Sequence, residues 1–175
     1  QAFLGARGRN ASAEVVIPDR TIGRYWRANA AAMARCWNQA TVGAAQTGAV
    51  GLQGNVANAL AALFICCGQD VACVSEATTS VSRFEVDDRG DLYVSVTLPN
   101  LIVGTVGGGT FLPTARESLA LLGCTGPGSA AKFAEICAVV ALAGELAVVG
   151  AMASGAFADA HASGGRKGRG TGTPA

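Results

Sequence analysis

A long stretch, Ser129–His161, is apolar on nearly every side and contains no proline. This pattern predicts a helix that is either enclosed by protein or surrounded by lipid. At about 1.5 Å per residue the helix could cross a bilayer. However, charged side chains interrupt it, and the run between Glu145 and Asp159 is shorter than the roughly 20 apolar residues of a span. We therefore expect the enclosed helix of a folded domain, and neither a membrane span nor a surface helix. Its small residues should allow close packing by neighbouring elements: Gly144, Gly150, Ser154 and Gly155.

The chain before this stretch mixes the two-residue period of strands with the 3.6-residue period of helices. Proline, glycine and acidic residues separate the periodic segments and mark turns. The predicted elements are a strand at 13–17, a helix at 21–37 capped by Asp19 or Thr21, a glycine-rich loop at 38–54, a helix at 55–67, a short helix within 71–80, a hairpin of strands at 81–86 and 91–98, a brief strand at 101–103, a helix at 113–122, and the long helix capped by Ser129.

These elements predict an α+β fold rich in helices. The long central helix, at about 129–160, would be buried behind shorter helices and a small, mostly antiparallel sheet. Residues 1–12 are interpreted as a connection from an N-terminal part that the chain lacks, residues 13–161 as the folded unit, and residues 162–175 as a flexible C-terminal tail.

Composition narrows the possible functions. Half of the 175 residues are hydrophobic and only 14% are charged, which excludes a disordered chain. The formal net charge of +1 gives no reason to expect nucleic acid as a partner. Six cysteines without a CxxC pair and a single histidine do not predict a metal site. Buried, reduced thiols in a cytoplasmic protein are the expectation.

Three features have chemical potential, and each has an ordinary structural explanation. The glycine loop Gly104–Thr110 lacks the spacing of dinucleotide and P-loop motifs, so it is either a tight turn or a backbone surface that a ligand approaches closely. Asp70 follows a buried helix, where a carboxylate is either solvated or used in proton chemistry. His161, the only histidine, is either an ordinary exposed residue or a general acid.

Several motifs occur together in one order along the chain. They are EVVIP at 14–18, NxxxAxxxxCGQD at 58–70, DLYVSVTLP at 91–99, IVGTVGGGT at 102–110, PGxxA at 127–131, LAGEL at 142–146 and AMASGAFADAH at 151–161. In this order they resemble the hydroxymethylglutaryl-coenzyme A (HMG-CoA) reductases, and the resemblance runs from about Gly5 to Arg166. The chain resembles the C-terminal half of the large catalytic domain of a class I-like enzyme.

The resemblance implies an oxidoreductase that converts the HMG-CoA thioester to mevalonate and coenzyme A with two hydrides from NADPH, NADH remaining open. It implies a cytoplasmic homodimer or higher oligomer, with no membrane span in this part of the chain. Asp70 corresponds to the family's catalytic aspartate, His161 to the acid that protonates the departing thiolate, and Asn58 to a substrate-binding asparagine. The cofactor-binding loop would be Gly104, Thr105, Val106, Gly107, Gly108, Gly109 and Thr110.

The chain also departs from the family pattern. The family's catalytic lysine, its glutamate motif and its DxMGxN nicotinamide motif do not occur in these residues, so we expect a fragment that is inactive by itself. Gln39 stands where animal-type enzymes carry a substrate-facing lysine, and Asp159 and Ala162 break the terminal signature. Two alternatives remain: a non-catalytic homologue that binds a partner or a ligand similar to coenzyme A, and a small membrane protein anchored by the long helix.

Overall fold

A computed structural model describes residues 7–160. Its elements follow one another in this order: β1 (Arg9–Ile17), α1 (Asp19–Trp26), α2 (Ala30–Gln46), α3 (Val56–Cys66), a 3₁₀ turn (Val71–Cys73), α4 (Val74–Ala77), β2 (Val81–Val86), β3 (Leu92–Leu101), a second 3₁₀ turn (Gly108–Phe111), α5 (Pro113–Leu121) and α6 (Ala130–Ala153). The α+β class is confirmed.

The strands form one antiparallel sheet in the order β1-β3-β2. The side chains of Leu92, Val94 and Val96 in β3 are completely buried, which matches the alternation read from the sequence. The turn between β2 and β3 is closed by Asp87, whose carboxylate accepts the amides of Arg89 and Asp91 at 2.9 Å each. The predicted hairpin is therefore confirmed, and its second strand continues to Leu101 and absorbs the start of the predicted brief strand.

Helix α6 is the central element, as predicted. It packs against β1, β3, α2 and α3. Its small residues do allow close contacts: a side chain at Gly150 would collide with the Trp26 indole, and one at Gly144 would meet the Asn55 side chain at 2.7 Å. One stripe of the helix, with Val139 and Val140, stays exposed in these residues. The enclosure is therefore incomplete.

The end of α6 differs from the prediction. The continuous helix stops at Ala153, because Gly155 adopts a φ of +78°, and helical backbone resumes only at residues 156–160. By length and apolarity α6 is the one helix of the described segment that could cross a membrane. A core helix satisfies the same criterion, and the packing of α6 is that of a core helix.

Three predicted boundaries in the first third of the chain are wrong. The strand expected at 13–17 begins already at Arg9. The helix expected at 21–37 is divided, because Arg27 adopts a left-handed φ of 54° and Asn29 caps α2 by accepting the Ala32 amide at 2.7 Å. Asp19 does not cap its own helix but accepts the Ala30 amide at 2.7 Å. The loop expected from residue 38 begins only after Gln46, where α2 ends.

The remaining glycine-rich loop does pass close to another backbone, as predicted. A Cβ at Gly51 would lie 2.7 Å from the carbonyl oxygen of Ser80, and Leu52 forms a parallel bridge with Val81.

All six cysteines are free, which agrees with reduced thiols. Cys67, Cys124 and Cys137 are buried, and burial raises the pKa of Cys67 and raises that of Cys137 to about 12. A thiol that stays protonated is a poor nucleophile, so Cys67 and Cys137 are packing residues. Cys66 is exposed, so burial was wrongly predicted for it.

Candidate active site

Asp70 stands at the start of the 3₁₀ turn that follows α3. Gly68 ends the helix segment with a φ of +64° and redirects the chain. The Asp70 carboxylate accepts the Ala72 amide at 3.0 Å and is exposed to solvent. Within residues 7–160 it forms no ion pair. The neighbouring Cys73 thiol has a raised pKa, first because it is buried and second because the Asp70 charge is close. Among residues 7–160 the Asp70 carboxylate therefore has no cationic partner, and its charge is available to a partner group.

The glycine loop Gly104–Thr110 leaves β3 and presents bare backbone. Gly107 and Gly108 have φ of +83° and +57°, which L side chains adopt only with strain. A Cβ at either position would meet nothing within 4 Å, so no other part of the described chain requires the absence of a side chain there. The open backbone fits the close approach of a flat or phosphorylated ligand, such as a nicotinamide coenzyme.

Asp70 and the glycine loop line the same cavity, of about 200 Å³. Its wall includes Gly68, Gln69, Asp70, Cys73, Ile102, Val103, Gly104, Val106, Gly107, Gly108 and Thr110. A segment after α3 and a segment after β3 thus meet, although more than 30 residues separate them in sequence. The structure brings the predicted aspartate and the predicted cofactor loop together.

A larger cavity, of about 810 Å³, lies on the other flank of the loop, against α5. It shares Val106, Gly107 and Thr110 with the smaller cavity and adds Arg116 and Glu117. Asp70 does not line it, so the smaller cavity is the better candidate for chemistry.

Beyond Asp70 and the glycine loop, the predicted residues that the structure describes do not line the smaller cavity. Asn58 is exposed near the start of α3, about 12 Å along the helix from Cys66 at the opposite end. Gln39 is exposed on α2, and Asp159 is exposed in the last described residues. His161 and Ala162 lie outside the described residues. Within residues 7–160 no three His, Cys, Asp or Glu side chains are grouped so that they could hold a metal ion.

Glu145 is a residue whose role sequence reasoning missed. It is completely buried in α6, and its carboxylate accepts the amide of Gly54 at 2.9 Å, the amide of Asn55 and the amide of Val56 at 3.1 Å. These amides form the start of α3, where unpaired donors favour a negative charge. The sequence did carry a signal for this role: a carboxylate inside an apolar helix must find hydrogen-bond or ionic partners if it is buried. Glu145 thus fixes the helix that leads to Asp70.

Comparison with known proteins shows the family to which the chain belongs. The family model described as hydroxymethylglutaryl-coenzyme A reductase matches residues 1–166. The 3-hydroxy-3-methylglutaryl-coenzyme A reductase of Methanocaldococcus jannaschii is 40% identical over 162 residues, which cover 91% of this chain and 39% of that protein. The Haloferax volcanii protein of the same name is 43% identical over 166 residues, which cover 91% of this chain and 41% of that protein. The Aeropyrum pernix protein of the same name is 53% identical over 126 residues, which cover 69% of this chain and 30% of that protein.

A mixed fold in which Asp70 and a bare glycine loop line one cavity defines a candidate ligand-binding site. The family match makes this specific: the chain belongs to the hydroxymethylglutaryl-coenzyme A reductase family. It spans about two fifths of the length of the first two relatives named above.

Proposed function

We propose that this chain is part of a longer reductase that converts HMG-CoA to mevalonate and coenzyme A with NADPH. The observation that carries the proposal is the shared cavity of Asp70 and the glycine loop. The family match over residues 1–166 supports it. The experiment is to assay the full-length protein with HMG-CoA and NADPH, and then with NADH. Mevalonate formation supports the proposal, and its absence with both coenzymes contradicts it.

Each proposed residue has one task. The coenzyme supplies the hydride when it is bound. The Gly104–Thr110 backbone would hold it, since Gly107 and Gly108 leave room for close approach. Asp70 would pair with the cationic and acidic groups that serve the carbonyl oxygen, because its carboxylate has no ion-pair partner within residues 7–160. His161 would protonate the departing thiolate, and Asn58 would bind substrate at the far end of α3.

The isolated 175-residue chain is expected to show no turnover with HMG-CoA and NADPH. The family's catalytic lysine and glutamate are not among its residues, so two of the groups that serve the carbonyl oxygen are missing. The measurement is NADPH oxidation by the chain beside the full-length protein at equal concentration. Turnover by the chain alone would contradict the prediction. The non-catalytic alternative would be favoured if the full-length protein binds coenzyme A but shows no reductase activity.

Replacing His161 by Gln in the full-length enzyme is expected to slow thioester reduction about a hundredfold and to leave mevaldehyde reduction nearly unchanged. A general acid contributes on this scale, and only the thioester releases a thiolate that needs a proton. The two substrates are compared at saturating coenzyme. Equal loss on both would contradict the role given to His161.

We also propose that the full-length protein is a cytoplasmic homodimer or higher oligomer. The exposed apolar stripe of α6, with Val139 and Val140, supports further packing partners beyond the described residues. Sedimentation of the full-length protein at micromolar concentration tests the assembly, and a monomer would contradict it.

A further inference from the structure

The glycine loop is attached to the Asp70 segment by one side chain, that of Gln69. The Gln69 Oε1 atom accepts the backbone amide of Gly104 at 2.8 Å. Its Nε2 atom donates to the carbonyl oxygen of Cys67 at 2.8 Å, so the amide group is held at both ends. Gln69 is half-buried between the segment after α3 and the segment after β3.

A second contact attaches the other end of the loop to the same segment. The backbones of Gly68 and Gly109 touch: a Cβ at Gly109 would lie 2.8 Å from the Gly68 carbonyl oxygen, and a Cβ at Gly68 would collide with the Gly109 carbonyl. Neither glycine can gain a side chain unless the two segments separate. The loop is therefore held on both sides of its exposed residues, Val106–Gly108.

The far flank of the loop is attached to the start of α6. The Thr105 hydroxyl donates to the Gly126 carbonyl oxygen at 2.9 Å, and the Ser129 hydroxyl lies 2.7 Å from that oxygen and 3.0 Å from Thr105 Oγ1. Ser129 is the N-cap residue of α6, as predicted, but its hydroxyl makes no capping hydrogen bond to the helix. This attachment does not involve Asp70. It would remain if the Gln69 contact were removed.

We propose that Gln69 is a positioning residue that sets the distance between Asp70 and the glycine loop. Residues 69 and 70 are consecutive, so the hydrogen bond to Gly104 transmits any movement of the loop directly to the carboxylate. The loop would bind the coenzyme, and Asp70 would act on the reacting carbonyl group. The hydrogen bond between Gln69 and Gly104 therefore aligns the coenzyme-binding loop with Asp70. The expected change in KM and kcat rests on the proposed function. The expected change in the position of the loop rests only on the hydrogen bonds of Gln69.

The test compares Gln69→Met and Gln69→Glu in the full-length enzyme. Methionine keeps the volume and removes both hydrogen bonds, whereas glutamate keeps an oxygen that accepts the Gly104 amide. We expect Gln69→Met to raise the KM for NADPH about tenfold with a smaller fall in kcat, the scale of one hydrogen bond. Gln69→Glu should recover only part of the loss, because it keeps the acceptor for the Gly104 amide but has no donor for the Cys67 carbonyl oxygen. Gln46→Met, an exposed glutamine at the end of α2, is the matched control and should change neither constant.

Hydrogen–deuterium exchange gives a readout that needs no activity. The peptide covering Gly104–Thr110 should exchange about tenfold faster in Gln69→Met than in the wild type, and no faster in Gln46→Met. Unchanged exchange of this peptide in Gln69→Met would overturn the proposal, and so would an equal rise in Gln46→Met. A full-length wild type without reductase activity would overturn the proposed function instead, and the exchange result would then decide the role of Gln69 alone.

Discussion

Asp70→Asn in the full-length enzyme is expected to lower kcat about a thousandfold for both HMG-CoA and mevaldehyde. The asparagine oxygen can still accept the Ala72 amide, which Asp70 accepts at 3.0 Å, so the turn should survive. The negative charge is lost, and with it the coupling to the groups that serve the carbonyl oxygen in both reduction steps. Initial rates with each substrate, at saturating NADPH, measure the effect.

A matched control is Asp88→Asn, in the exposed turn between β2 and β3. It removes the same charge far along the chain from the proposed site and should keep full activity. A wild-type rate in Asp70→Asn would refute the catalytic assignment. A loss on the thioester alone would place Asp70 in thiolate release, the step proposed for His161.

Glu145→Leu is expected to lower the free energy of unfolding by about 3 kcal/mol. The leucine leaves the amides of Gly54, Asn55 and Val56 without the acceptor that now binds all three. Unpaired buried donors cost about 1–3 kcal/mol each, and those nearer the surface regain some of this from water. Urea unfolding of the full-length protein, followed by circular dichroism, gives the midpoint and slope.

Glu135→Leu, on an exposed position of the same helix, is the control and should change stability little. The free energy of unfolding of Glu145→Gln should lie between those of Glu145→Leu and Glu135→Leu. The glutamine oxygen can still accept a backbone amide, whereas its NH₂ group would face other N–H donors. The largest rise in hydrogen exchange is expected at the start of α3. Equal stability of Glu145→Leu and Glu135→Leu would contradict the capping role.

Local signals in the sequence predicted elements well where one pattern dominated. The run DLYVSVTL alternates strictly, and β3 buries every second side chain from Leu92 to Leu98. Asn55 and Gly68 bracket an apolar run, and α3 occupies Val56–Cys66 between them. Where two signals competed, the prediction was wrong: helical spacing continued through residues 27–29, but Asn29 starts a new helix there.

The role of Ser129 shows why caps are difficult to assign from sequence. A serine before an apolar run is a good N-cap by preference. In the fold, Thr105 and the Gly126 carbonyl lie within reach of its hydroxyl, and these contacts take its hydrogen-bonding capacity. A side chain with one hydroxyl serves whichever partner the tertiary structure brings nearest.

By itself the sequence determined the family, the strand and helix patterns, and Asp70 with the Gly104–Thr110 loop as candidate site residues, because motifs and periodicity are local properties. Only the tertiary structure decided that these two segments line one cavity, that Gln69 and the Gly68–Gly109 contact hold them together, and that Glu145 caps α3. Such contacts join residues far apart in the chain. Their formation depends on the packing of whole elements around α6, which no local pattern specifies.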